Sequence, residues 1–219
     1  MSESAYKAIT NISILSILVP ILCAVFRFKN MGRTLFVLFI VLILGAFTEI
    51  LSRFFSNLNL EGYNVTQNGY TWAETILFLL MYRSVFQNTK IKATVLLIVI
   101  LAVLYLLFTI VTTNFQKLNF ILNPLECVLM ISLSLYYFYS LFAVPQSELL
   151  QNNPMFWINT AILYYFSTSL FIFLFKGYLS HCEINTFRRV LSLHLFANII
   201  QNLLFAVAIW KTKPTLEAL

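Results

Sequence analysis

Glu49, Glu74, Glu126 and His194 are ionisable residues embedded in four different apolar stretches of one chain. An ionisable group in hydrocarbon is costly, so it is kept where a partner, a ligand or a water-filled cavity surrounds it. Three carboxylates and an imidazole also form a donor set that suits zinc, iron or manganese. If a metal is bound, Glu49, Glu74, Glu126 and His194 are its expected ligands. No two of them share a helix at i, i+3 or i, i+4 spacing, as the histidines of an HExxH helix do, and no metal is expected. A protonated carboxylate, or a carboxylate beside an imidazolium, satisfies these groups without one.

Other polar residues fall into line with the four. His194, Asn198, Gln201 and Asn202 follow i, i+4, i+7, i+8 spacing and share one helix face. Asn119, Asn123, Glu126, Met130 and Ser134 do the same on another stretch, and Asn159, Tyr164 and Ser167 extend the pattern on a third. Polar side chains on a membrane helix turn inward, away from lipid. The expectation is a polar cavity in the outer half of a bundle. Glu126 and His194 would hold the polar end of a ligand, Glu49 and Glu74 would stand at the mouth, and Asn159, Asn198 and Gln201 would line the wall. Against this stands a plainer reading: Asn, Gln and His also join membrane helices, at about 0.6 kcal/mol per bond. For Asn159, Asn198, Gln201 and Asn202 the plainer reading weighs more.

The elements that must position these residues are membrane helices. The chain is 60% hydrophobic and 10% charged, with a mean hydropathy of +0.86, values outside the range of soluble domains. Crossing a bilayer takes about 20 apolar residues. Suitable stretches run over Ile9–Phe26, Thr34–Ser52, Trp72–Phe86, Ala93–Thr113, Phe120–Phe142, Met155–Phe175 and Val190–Trp210. The predicted fold is therefore all-α: a polytopic bundle of seven transmembrane helices forming a single domain over residues 1–219. The first stretch lacks a small-x-small cleavage site before Arg27 and reads as a retained helix. Arg27, Lys29 and Arg33 between the first two stretches, with Lys211 and Lys213 beyond the last, put the N-terminus outside and the C-terminus inside. On that topology Arg53–Tyr70 is an outer loop able to fold over the bundle mouth, and Lys176–Arg189, with His181 and Cys182, is a second. Pro20 and Pro124 interrupt the first and fifth helices.

Composition also excludes. The net charge of +6 is spread over helix ends on both membrane faces, which is topology and headgroup anchoring, so no nucleic-acid partner is expected. Cys23, Cys127 and Cys182 supply no disulfide framework. Retinal needs a Schiff-base lysine in the last helix, and Val190–Trp210 has none. Haem ligation and seven-helix metal hydrolases need more histidines than the two present. GxSxG and Walker motifs are absent. No cofactor is expected.

The run Met155-Phe-Trp-Ile-Asn-Thr-Ala-Ile-Leu-Tyr-Tyr-Phe-Ser-Thr-Ser-Leu-Phe-Ile-Phe, followed by a helix carrying His194, Asn198 and a closing Ile-Trp210-Lys, resembles small seven-helix membrane proteins of Bacteroidota. Such bundles occur alone or as the membrane-embedded sensor region of histidine kinases. The resemblance covers Pro154–Phe175 and Leu193–Lys211 and implies Trp157, Asn159, Ser167, His194 and Asn198 as motif positions. It also implies a bacterial inner-membrane location. The leading expectation is a non-enzymatic, receptor-like bundle that senses a small or lipid-like molecule and works with a signalling partner or as a homodimer. The alternatives are a secondary transporter with a protonatable glutamate and an intramembrane hydrolase, metal-dependent or not.

Overall fold

The computed structural model describes residues 2–57, 62–112, 119–143, 149–179 and 182–212. Every regular element among them is helical: α1 (Glu3–Ser16), α2 (Leu18–Arg27), α3 (Arg33–Asn57), α4 (Gly62–Val85), α5 (Thr89–Thr112), α6 (Asn119–Phe142), α7 (Pro154–Leu174), α8 (Lys176–Leu179) and α9 (Ile184–Trp210). Short 3-10 turns stand at Phe28–Asn30 and Leu150–Asn152. A helix bonds its own backbone, which is what an apolar solvent demands. Hydroxyls inside these helices obey the same rule: Thr75, Ser132 and Thr160 donate to the carbonyls of Thr71, Val128 and Phe156 one turn earlier.

Among the described residues six helical stretches are long and apolar enough to cross a membrane: Glu3–Asn30, Arg33–Ser56, Thr89–Phe108, Asn123–Phe142, Pro154–Leu174 and Ile184–Trp210. They mark the chain as an integral membrane protein. The remaining expected span, Trp72–Phe86, falls mostly on α4, a helix of 24 residues whose first half carries Asn64, Thr66, Gln67, Asn68 and Thr71. Length suffices there, but the polar first half lowers its hydropathy.

The expected outer loop over Arg53–Tyr70 is mostly helix. α3 continues to Asn57 and α4 begins at Gly62, so Asn68 and Gly69 stand inside a helix despite their turn-forming character. Tertiary packing overrides propensity here: Asn68 is fully buried, and Gln67 Nε2 donates to Ser52 Oγ across the two helices at 3.1 Å. The second expected loop shrinks likewise, because α8 and α9 occupy much of Lys176–Arg189; its His181 lies outside the described residues.

The two prolines act differently. Pro20 has no N–H for the carbonyl of Ser16, and the helix breaks there into α1 and α2. The flanking bonds, Ile17 N to Ile14 O and Ile21 N to Ile17 O, are both stretched to 3.4 Å. Pro124 stands in the second turn of α6 and leaves that helix continuous. At the start of α7 local chemistry is conventional: Pro154 occupies the first turn and the Asn153 side chain accepts from Met155 N at 2.9 Å.

The helices gather into two compact units, one made of Met1–Met31 with Asn123–Leu219 and the other of Gly32–Leu122. In the first, α9 packs against α7, α1 and α2. Arg188 near the start of α9 meets Glu3 at the start of α1, 3.3 Å apart, and Arg27 at the end of α2 lies 4.9 Å over the ring of Trp210 at the end of α9. The α1–α2 pair and α9 therefore run parallel. α7 meets α6 through Phe156 and Phe138, whose rings are 5.8 Å apart at 73°.

In the second unit α4 packs against both α3 and α5. Leu38, Val41 and Leu42 of α3 are buried, as are Phe78, Leu79, Met81 and Tyr82 of α4. Trp72 of α4 packs on Ala102 and Leu106 of α5. The opposite face of α5 leaves Leu101, Leu104 and Phe108 exposed, a surface suited to lipid.

α3 and α4 approach closely at Gly62, where an added Cβ would stand 2.8 Å from the ring carbon Cγ of Phe55. The ring root cannot swing aside as a flexible tip would. Gly62→Ala is expected to destabilise the protein by about 1–3 kcal/mol through overpacking, read as a lowered unfolding midpoint in detergent; an unchanged midpoint refutes the close approach.

Candidate functional site

α9 exposes its polar stripe to two neighbours. His194 faces α7: its Nδ1 lies 2.9 Å from Ser169 Oγ, and its Nε2 lies 3.5 Å from the Tyr165 hydroxyl, a long contact. Hydroxyls both donate and accept, so either imidazole tautomer is satisfied by this pair. The ring is also flanked by Tyr165 and Phe173, with centroids 5.3 and 5.4 Å away. His194 is thus clasped by one face of α7, where Tyr165, Ser169 and Phe173 recur every fourth residue.

Asn198 and Asn202 face α1. Asn198 Nδ2 donates to Ser13 Oγ at 3.0 Å and Asn202 Nδ2 donates to Ser16 Oγ at 2.8 Å. Ser16 Oγ passes a bond on to the carbonyl of Ser13 at 2.6 Å. Ser13 and Ser16 are three residues apart and Asn198 and Asn202 four, so both pairs stack along parallel helices. Gln201, between them, is buried, and its Nε2 has no hydrogen-bond partner among the described residues.

The remaining candidate residues of this unit divide by depth. Glu126 is buried on α6, with Cys127, Met130 and Ser134 buried beside or below it. One turn before Glu126, Asn123 keeps its Oδ1 buried without a hydrogen-bond partner among the described residues. Asn159 is fully buried on α7 and donates to the backbone carbonyl of Ser134 on α6 at 3.1 Å. Ser167 is half-buried; it is Ser169, two residues on, that reaches His194. Trp157 sends Nε1 to the carbonyl of Gln151 at 2.8 Å and stacks edge-on with Phe156, fixing the turn that leads into α7. Along α7, Trp157 stands about 18 Å from Ser169 and Asn159 about 15 Å. Trp157 and Asn159 therefore hold the α6–α7 end of the unit, far from the His194 clasp.

Glu49 and Glu74 belong to the second unit. Glu49 is half-buried on α3 with Arg53 one turn further along. Glu74 is half-buried on α4 and accepts a bond from the Tyr70 hydroxyl at 3.1 Å. Within neither unit, among the described residues, do three His, Cys, Asp or Glu side chains gather to hold a metal.

Sequence reasoning found the polar stripe of α9 and missed its partners. Ser13, Ser16, Tyr165 and Ser169 carry a legible signal, hydroxyls at i, i+3 or i, i+4 spacing in apolar helices. Pairing them with α9 required knowing which helices are neighbours.

The His194–Ser169 contact is expected to show a coupling of about 0.6 kcal/mol, with ~1.7 as the ceiling for membrane helices. A double-mutant cycle of His194→Ala and Ser169→Ala, read by unfolding in detergent, measures it. Additive effects would mean that the two side chains do not hold α7 to α9. No protein-family model, no curated protein sequence and no solved structure matches this chain.

Proposed function

We propose that the protein is a receptor-like, ligand-sensing bundle of seven transmembrane helices, non-enzymatic, with the polar end of its ligand received on the Asn123–Glu126 face of α6. The observation that carries this reading is the buried Asn123 Oδ1, without a hydrogen-bond partner among the described residues, one turn from the buried carboxyl group of Glu126. A polar atom buried and unpaired costs about 1–3 kcal/mol, and a fold that keeps one gains from a group that arrives later. A small or lipid-like molecule with a hydrogen-bond donor at one end meets both side chains, which lie on one helix face. His194, engaged on both nitrogens by α7, has the role of joining α7 to α9, where it transmits a shift of either helix. A partner protein or a second copy would carry the signal onward. The resemblance to bacterial sensor bundles fits this reading and an inner-membrane location.

Parity supports the seventh crossing. α1–α2 and α9 run parallel, which requires an odd number of crossings from first to last. Six apolar spans and the long helix α4 together satisfy it. The basic residues near Arg27 and Lys211 favour an outer N-terminus. In a variant with its native cysteines replaced, Ser56→Cys and Gln87→Cys are expected to react with a membrane-impermeant maleimide from opposite sides. Reaction of both from one side would remove α4 from the spans.

The ligand reading separates from a structural one by the sign of a stability change. Asn123→Leu is expected to raise stability by about 1–3 kcal/mol, because the orphaned atom is gone, while a co-purifying small molecule seen by native mass spectrometry disappears, as it also does in Glu126→Gln. Lower stability with the adduct retained would make Asn123 and Glu126 helix-packing residues and defeat the proposal.

A further inference from the structure

A cleft of about 470 Å³ opens in the second unit where the start of α3, the end of α4 and the first turn of α5 come together. Arg33, Arg83 and Lys92, one from each helix, line it with Thr34, and Val37 and Leu80 form an apolar wall. The hydroxyl of Ser84, also at the rim, is spent on its own helix, donating to the Met81 carbonyl at 2.7 Å. None of the three cations forms an ion pair among the described residues. Among the described residues the carboxylates of this unit stand elsewhere: Glu74 is about 13 Å along α4 from Arg83, and Glu49 is about 24 Å along α3 from Arg33.

Helix polarity adds to the imbalance. α3 and α5 both present their N-termini here, where unbonded N–H groups and the aligned peptide dipoles leave partial positive charge. Acidic residues usually occupy such positions, yet the first turns of α3 and α5 contain none. Arg33 and Lys92 instead set full positive charges at positive helix ends. Such an arrangement repels itself unless an anion offsets it.

We propose that this cleft binds a phosphate-bearing anion. Arg33 and Arg83 offer planar guanidinium forks that match phosphate oxygens, and Lys92 supplies a third charge. Val37 and Leu80 suit the ester side of such a molecule, which an inorganic ion would leave unused. Two sources carry this chemistry: the headgroup of an anionic phospholipid or a soluble phosphate compound. The cleft stands at the ends of two apolar spans, Arg33–Ser56 and Thr89–Phe108, the level at which lipid phosphates lie. The site is separate from the α6 face and does not depend on it.

The full-length protein in detergent, titrated with phosphatidylglycerol and with phosphatidylcholine under native mass spectrometry, tests the lipid source; thermal shift with inorganic phosphate tests the soluble one. Preferential retention of phosphatidylglycerol, weakened about fivefold for each cation removed on the way to R33Q/R83Q/K92Q, supports a headgroup site. Stabilisation by inorganic phosphate that the same substitutions abolish supports a soluble ligand. Equal retention of the two lipids with no phosphate effect overturns the proposal, as does undiminished binding in the triple variant. If that variant fails to fold, a salt series on the unaltered protein decides: affinity that falls with added KCl supports the site, and affinity indifferent to salt rejects it.

Discussion

A carboxamide or an imidazole inside a bilayer has no water to turn to, and α9 carries His194, Asn198, Gln201 and Asn202 along one side. The arrangement of the first unit follows from where those groups find partners. α7 supplies Ser169 and Tyr165 to His194, and α1 supplies Ser13 and Ser16 to the two asparagines. Lipid tails match a leucine as well as another leucine does, so no hydrophobic drive chooses neighbours in a membrane, and close packing and interhelical hydrogen bonds take its place. Hydrogen bonds at fixed heights add register to that packing, and here they join α9 to α7 and to α1 at matched levels. The break at Pro20 falls just below the second asparagine–serine contact, so the segment that needs alignment is the straight one above it.

The second unit is built on a different balance. Its helices are joined by a large apolar interface around Phe78, Leu79, Met81 and Tyr82, with Gln67 and Ser52 as a polar link near one end. The other end gathers three cations and two positive helix termini around an open cleft. One unit spends His194, Asn198 and Asn202 on contacts between its helices, and the other gathers cations around a cleft.

Much of this was legible in the chain alone. Hydropathy located six of the seven expected spans as apolar helices long enough to cross a membrane, because an apolar run of about 20 residues matches the thickness of the hydrocarbon core. The helical spacing of the α9 stripe gave its shared face. Two things were not legible. Neighbour relations depend on contacts far apart in sequence, so Ser13 and Ser16 did not announce themselves as partners of Asn198 and Asn202. Helix ends were also misplaced: Asn64, Asn68 and Gly69 have turn-forming propensity, and burial of Asn68 between packed helices outweighed it. The basic residues at Arg33, Arg83 and Lys92 read as topology markers in sequence, since nothing in their spacing indicates that one cleft collects them.

The parallel contact between α1 and α9 has a consequence for biogenesis. Asn202 bonds a serine 186 residues earlier in the chain. Synthesis at about 5–20 residues per second separates the two by roughly 10–40 s. For that interval Ser13 and Ser16 are without their asparagine partners on α9, the last helix to be inserted. Closure of the first unit is thus a late, ribosome-timed event.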